Sequence, residues 1–375
     1  MSKPSAIIIG AGIAGLAMAR ALAIKGYAVT VFDRTQQAVG ASVRNFGMIW
    51  PIGQPAGKMY DYALRSRQVW QQIGEQGAFV VNPCGSLHLA YHADEWKVLQ
   101  ELYELFSKER KVALLSPGQV CNKSEAVVPD GLLGGLFSED EAIVDPRAAM
   151  GALPAWLKEQ YEVRFYWGKC VSYIADNTVY IGNEEDYQAD VIVVCSGADF
   201  ETLYPEAFNR LKITKCKLQM MRMAAQPGNW QMGPALCGGL SLIHYKSFSP
   251  AESLLLLRRR YEQELPDYLR WGIHVMVSQN NAGELTIGDS HEYGLTHDPF
   301  DKAFINEMIV SYLRSFANFK DHTITATWNG IYAKLTNGDS HLFISPEPGV
   351  FVFNGLGGAG MTMSFGLAES IVGEW

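Results

Sequence analysis

The sequence predicts an α/β protein that carries an α+β second domain. Three observations lead there. A glycine-rich turn, G-x-G-x-x-G at Gly10, Gly12 and Gly15, follows the first β-branched run. Two further apolar runs, Val191–Val194 and Val350–Asn354, also end in glycine turns. Between 213 and 321 the pattern changes to segments that alternate polar and apolar residues. A discontinuous Rossmann-like nucleotide domain, with an antiparallel-sheet substrate domain threaded through it, accounts for all three. The expected division is 1–80, 141–212 and 322–375 for the first, and 81–140 and 213–321 for the second.

Ala6–Ile9 reads as a strand, Leu16–Lys25 as a helix ending at Gly26, and Tyr27–Phe32 as a second strand closed by Asp33. This is a β–turn–α–β–acid unit. Helices follow at Asp61–Gln76, Asp94–Arg110 and Pro146 to about Gln160, with a strand at Leu87–Tyr91. Val163–Trp167 and Cys170–Ala175 alternate like strands, and Val191–Val194 is a buried one. In the second domain, strands are expected at Lys217–Ala224, Leu240–Tyr245, Ser253–Arg259, His274–Gln279 and Leu285–Gly288, with a helix at Lys302–Phe316. "LRRR", ending at Arg260, reads as a solvated strand end or loop. Met220, Met221 and Met223 read as core. Val350–Asn354 returns to the first domain and leads through a glycine loop into a last helix.

At 375 residues the chain has room for two domains. Apolar residues are 48% and charged residues 19%, which fits a large core. The 31 Lys and Arg against 39 Asp and Glu leave a net charge of −8. That balance argues against nucleic acid or an anionic membrane as the main partner, but a small anionic substrate needs only a few local cations. Cys84, Cys121, Cys170, Cys195, Cys216 and Cys237 show neither C-x-x-C nor zinc spacing, so they read as reduced thiols of a cytoplasmic protein. No run reaches the roughly 20 apolar residues of a membrane helix. Glycine spacing explains the Ala-rich N-terminal run better than a secretory leader does.

In the first motif, Gly10 allows the tight turn, Gly12 lets a pyrophosphate approach the backbone, and Gly15 lets strand and helix pack closely. Ile13 and Ala14 open a helix whose N–H groups meet phosphate. Asp33, with Arg34 beside it, can accept from ribose hydroxyls. NAD and FAD share this ADP half. Three features favour FAD. "CSGAD" supplies a second glycine turn at Ser196 and Gly197. The C-terminal return holds Gly357, Gly358, Ala359, Gly360, Met361 and Thr362 at a helix start. The loop "ASVRNFGMIWPIGQP", 41–55, is aromatic-rich with Arg44 its one charge, which suits a flavin ring. Val171 and Gly330 complete the expected cofactor-binding positions.

With the N-terminal glycines and Asp33, "VIVVCSGA" and "FNGLGGAGMTMSFGLAESI", the chain resembles the D-amino-acid oxidase, glycine oxidase and sarcosine oxidase family of flavoproteins along nearly its whole length. "ASVRNFGMIWPIGQPAG", "GIHVMVSQNNAGELTIGDSHEYG" and "WNGIY" resemble a subgroup linked to bacterial phosphonate breakdown. The resemblance implies that Ala41 and Ser42 lie near the phosphates, that Arg44, Asn45 and Phe46 approach the flavin N5 side, and that the last helix points its N-terminus at the flavin N1/C2 carbonyl. A surface ion pair is the plain alternative for Arg44. Some sarcosine oxidases hold FAD through a Cys in the C-terminal third; the last Cys here is Cys237, so non-covalent FAD is expected.

The reaction so implied is hydride transfer from the carbon beside a small amine to flavin N5, imine hydrolysis, and reoxidation by O2. The subgroup implies 2-aminoethylphosphonate or its N-methyl derivative, giving phosphonoacetaldehyde. A glycine, sarcosine or D-amino-acid oxidase is the alternative, as is a dehydrogenase with another acceptor. Family members acting on amino acids often show W-x-G-x-R; here Trp328, Gly330 and Tyr332 stand in that frame, so the arginine is absent. Arg44, His244, Tyr245, His274, Tyr332 and Lys334 are the candidates to hold the substrate's anionic group. A core or edge histidine is the plainer reading for His244 and His274, and a solvated charge for Lys334. "GDSHEYG", Gly288–Gly294, could suggest a metal through Asp289, His291 and Glu292, but hairpin-turn chemistry is the expected explanation and no metal is expected.

Overall fold

The computed structural model describes residues 3–182 and 185–375. The Ser5–Ile9 strand pairs in parallel with Ala28–Asp33 on one side and Val191–Val194 on the other. Arg164–Trp167 and Val350–Asn354 extend this sheet in parallel, and antiparallel Leu342–Glu347 closes the six strands. The inner four strands are largely buried on both faces, which is why they read as mostly apolar runs. Ala6 and Ile8 face the helices Ile13–Ile24, Lys58–Glu75, Pro146–Tyr161 and Gly360–Gly373. Ile7, Phe32 and Ile192 face a small antiparallel sheet built from Val171–Ala175, Thr178–Ile181 and Glu185–Gln188.

A nine-stranded mixed sheet forms the second layer system. Its longest contact is antiparallel pairing of Ile213–Met223 with Ile324–Leu335, from Ile213 opposite Leu335 to Met223 opposite Ile324. The Ile324–Leu335 strand therefore hydrogen-bonds into the sheet of the 213–321 segment. Among the described residues, no helix is long and apolar enough to cross a membrane.

Three local expectations are corrected. Leu240–Tyr245 is not a strand: Gly239–Ile243 is a 3-10 turn. The Ser241 hydroxyl donates to the Gly238 carbonyl at 2.6 Å, and a Cβ on Gly239 would lie 2.5 Å from the Glu95 carboxylate. Ser253–Arg259 is not a strand either, because Leu254–Glu264 is an α-helix. Leu257 and Tyr261, four residues apart, are buried, whereas Leu255 and Leu256 are exposed. Arg260 is accordingly a helix residue, clasping Asp94 at 2.6 Å, Glu95 at 3.0 Å and Glu264 at 2.9 Å. Finally, Gly288–Gly294 is not a hairpin turn. Asp289 exchanges backbone hydrogen bonds with His274, His291 N–H donates to the Trp271 carbonyl, and Glu292–Gly294 pairs with Lys215–Lys217.

The helical register is testable. Leu257→Ala should cost about 2–5 kcal/mol of unfolding free energy, whereas Leu256→Ala should stay within about 0.5 kcal/mol. Equal losses in urea unfolding would contradict the helix.

Candidate active site

Two connected clefts run between the sheets. The larger, about 880 Å³, is lined by Gly10, Gly12, Ile13, Ala14, Asp33, Arg34, Val171, Ser196 and Gly197. The smaller, about 260 Å³, is lined by Arg44, Asn45, Phe46, Gly330, Gly358, Ala359, Met361 and Thr362. Ala41, Ser42, Gly357 and Gly360 lie where they meet, lining both.

The glycine cradle is sterically required. A Cβ on Gly15 would sit 1.9 Å from the Gly10 carbonyl oxygen, and one on Gly10 would sit 2.4 Å from that of Cys195. Gly12 has room for little more: a Cβ there would already lie 3.2 Å from Ser42 Oγ. Ser42 Oγ accepts from Ile13 N–H at 2.9 Å, tying the 41–43 turn to the start of the first helix. Asp33 Oδ1 accepts from the Thr35 N–H at 2.9 Å and its hydroxyl at 2.7 Å, and Oδ2 accepts from Ala11 N–H at 2.8 Å, which leaves a lone pair on Oδ2 for a hydroxyl. Arg34 is held by Asp199 at 2.7 Å. The Asn354 amide bridges Ser196 Oγ and the Gly197 carbonyl, locking the second glycine turn to the C-terminal strand. Trp50 N–H donates to Thr362 Oγ1, and Trp70 Nε1–H to the Met361 carbonyl. These residues fit FAD: a long cleft walled by glycine backbone at the ADP end opens into a smaller aromatic chamber.

The chamber also gathers the predicted substrate candidates. Tyr332 and Lys334 share one face of the Ile324–Leu335 strand with Gly330, and the Tyr332 hydroxyl lies 3.6 Å from the Cβ position of Gly358. Lys334 Nζ donates to the Tyr293 hydroxyl at 2.9 Å. Tyr245 donates to Met276 S at 3.1 Å. Arg44 is exposed at the rim and donates to the Asn329 carbonyl at 3.1 Å. Asn45 lines the chamber, but its amide clasps the loop, donating to the carbonyls of Ala41 and Ser42 and accepting from Gly47 N–H.

His244 and His274 meet with ring centroids 3.7 Å apart, and His291 lies 4.8 and 5.2 Å from them. Asp289 Oδ1 is 3.1 Å from His274 Nε2. Burial pushes the His274 imidazole well below its ordinary range, helped by His291 and Lys334. It pushes His291 down to about 4. His244 moves the same way, through enclosure first and then its histidine neighbours and Lys334, although its outer edge is open to solvent. Burial drives the Asp289 carboxyl well above the usual carboxylate range. Burial thus favours the neutral form of both His274 and Asp289.

Asp289 and His291 are chamber residues that sequence reasoning missed. The signal was there: Asp289, His291 and Tyr293 alternate with period two, as residues on one strand face do. Met220, expected as core, also lines the chamber, as do Trp50, Gln54 and Met276.

Residues 5–374 match the family model DAO, FAD dependent oxidoreductase. The chain belongs to this family and is an FAD-dependent oxidoreductase. It is 27% identical over 248 residues to the tRNA 5-methylaminomethyl-2-thiouridine biosynthesis bifunctional protein MnmC of Chromobacterium violaceum, covering 62% of this chain and 36% of that protein. It thus spans about a third of the length of the curated relatives it matches. Glycine oxidase from Geobacillus kaustophilus superposes with a TM-score of 0.76 at 18% identity, over 99% of this chain and 94% of that one. L-proline dehydrogenase from P. horikoshii gives 0.76 at 19%, over 99% and 92%. At these identities the two structures establish the shared fold.

Gly12→Val should empty the site of flavin, because the added methyls occupy the space left for the pyrophosphate. The check is the flavin absorbance after gel filtration, with far-UV circular dichroism unchanged; a yellow variant would refute the cradle assignment.

Proposed function

We propose that this chain oxidises a small amine bearing a phosphonate, with 2-aminoethylphosphonate or its N-methyl derivative as substrate. One observation carries the reading. The chamber collects His244, His274, His291, Lys334, Tyr245 and Tyr332, while the position where amino-acid oxidases place an arginine holds Tyr332. A carboxylate is matched by one planar bidentate clamp. A tetrahedral head group with three oxygens is matched by several donors spread over different segments, as here.

When bound, FAD supplies the hydride acceptor, and the chain's own residues supply placement. Gly357–Gly360 and Tyr332 bound the chamber on the cofactor side. Phe46, Met48, Trp50, Leu218, Met220 and Met276 give it apolar walls that exclude water. Hydride leaves only from a neutral amine, so the substrate's ammonium must lose its proton on entry, and a chamber of uncharged imidazoles and phenols favours that form. Lys334 and the histidines hold the anionic end, which directs the amine-bearing carbon to the glycine loop. The imine then hydrolyses to phosphonoacetaldehyde and ammonia or methylamine, with O2 as electron acceptor. FAD is held non-covalently in this reading: none of the six cysteines lines the chamber, and only Cys170 and Cys195 line the ADP cleft. Arg44 closes the rim.

Anaerobic mixing with 2-aminoethylphosphonate, its N-methyl form, sarcosine and glycine tests the substrate. Bleaching of the flavin by the phosphonates is expected; bleaching by sarcosine or glycine alone overturns the proposal. Peroxide release on readmitting air separates an oxidase from a dehydrogenase. Arg44→Ala should lower kcat/KM by about tenfold or more while FAD stays bound, through loss of the charge-assisted bond to the Asn329 carbonyl that holds the rim. An unchanged value would remove Arg44 from the substrate's path.

A further inference from the structure

The three chamber histidines come from separate segments: His244 after the 3-10 turn, His274 ahead of the Met276–Gln279 strand, and His291 in the extended 289–291 link. Each ring is placed by main chain rather than by a mobile loop tip. His274 and Asp289 exchange backbone hydrogen bonds at 3.2 and 2.9 Å, and His291 N–H donates to the Trp271 carbonyl at 2.8 Å. His291 Nδ1 lies 3.0 Å from the Gly272 carbonyl, which can only accept, so Nδ1 carries the proton and Nε2 offers a lone pair. His274 Nδ1 is buried with no partner.

Their nitrogens lie within 4.8 Å of one another, close enough to suggest a metal. The ring orientation speaks against one. His244 and His274 are tilted by only 35° at 3.7 Å, and His274 and His291 by 20° at 5.2 Å, so the rings present faces to each other. A metal binds in the plane of each imidazole, about 2.1 Å from nitrogen. A stack of this kind suits a single added proton on one ring instead, because an imidazolium is stabilised over the face of a neutral ring.

Charge balance says when that proton is needed. A dianion in this chamber requires about two positive charges to avoid an uncompensated buried charge. Lys334 supplies one. Arg44 and Lys246, the other cations on the lining, are exposed at the rim and bonded to the Asn329 and Gly338 carbonyls, so solvent and main chain already compensate them. Among the groups packed around the stack, burial raises the phenols of Tyr245, Tyr293 and Tyr332, and raises the Cys216 thiol to about 12, so these stay neutral. The His274–Asp289 pair is neutral as a unit. His244 and His291 are left as the groups able to gain charge. A carboxylate, with one charge, is balanced by Lys334 alone.

We infer that His244, His274 and His291 form a receptor for tetrahedral dianions that takes up one proton from solvent as the head group enters beside Lys334. The inference rests on the phosphonate reading and deepens it: selectivity for a dianion over a carboxylate is proton-linked and fades as pH rises. The rings are neutral in the free enzyme and gain a proton only in the complex, so raising the pH opposes binding of the dianion and leaves the carboxylate untouched.

The test uses the flavin-loaded enzyme with inorganic sulfate, a tetrahedral dianion with no titrating proton near neutrality, and acetate as the carboxylate. Titration calorimetry in two buffers of different ionisation heat counts protons. About one proton should be taken up per sulfate and none per acetate, and the sulfate Kd should rise by up to roughly tenfold per pH unit above neutrality. In His291→Gln, and in His244→Gln at the exposed edge should the first not fold, uptake should vanish with the flavin still bound. Sulfate binding without proton uptake, equal uptake for both anions, uptake unchanged in the folded variant, or no sulfate binding where acetate binds would each overturn the receptor. None of these readouts needs turnover, so phosphonate bleaching without proton uptake would remove this inference alone, whereas bleaching by glycine or sarcosine alone would remove the substrate assignment.

Discussion

Most of the site depends on one ladder, the antiparallel pairing of Ile213–Met223 with Ile324–Leu335. A strand shows its side chains to two sides in turn, and this one separates the two clefts. Asn329, Ile331 and Ala333 line the ADP cleft; Gly330 and Lys334 line the chamber; Tyr332 reaches both. A slip of one residue would exchange the two sets. The ladder also explains Gly330, since a Cβ there would lie 3.0 Å from the Arg44 carbonyl oxygen. The strand can pass beneath the 41–46 loop only where it has no side chain.

That loop is held by buried polar pins rather than by regular structure. Glu141, fully enclosed, accepts from Ile52 N–H at 2.9 Å and from Ser86 Oγ at 3.0 Å. Burial raises its carboxyl, and these donors oppose the rise. Arg110 donates to the carbonyls of Ile52 and Gln54 while stacked about 4 Å from the Tyr60 and Phe106 rings. Asn45 closes the other end of the segment on its own main chain. A segment with so few backbone partners of its own needs such side chains to satisfy its N–H and C=O groups. In return it presents Phe46, Met48 and Trp50 to the chamber at fixed positions.

The chamber is unusual in its electrostatics. Groups that carry charge in water are driven to their neutral forms: imidazoles downward, the Asp289 carboxyl, phenols and thiol upward. In the proposed reading, a low-dielectric space lined by neutral donors and acceptors, with Lys334 at one side, would place an amine and an anion at different ends without an internal base of high affinity. Chemistry that depends on position rather than on proton transfer by the protein is what such a lining favours.

Local rules determined the dinucleotide half from residues alone. Gly10, Gly12, Gly15, Asp33 and the two returning glycine turns act through steric limits that operate over a few residues, so their spacing in the chain is already their geometry. The same locality misled at Leu240–Tyr245 and Ser253–Arg259, where runs of leucine and serine carry no helical or strand period strong enough to decide between them. The helix at Leu254–Glu264 is settled by what it packs on, with Ser253 bound by Glu101 and Arg260 by Asp94 and Glu95. Likewise the alternation of Asp289, His291 and Tyr293 was legible, but not what it faced. Only the tertiary structure brought His244, His274 and His291 together, because the three lie on segments whose approach is set by sheet pairing with strands far away in the chain, and burial, which sets their protonation, exists only once those segments have met.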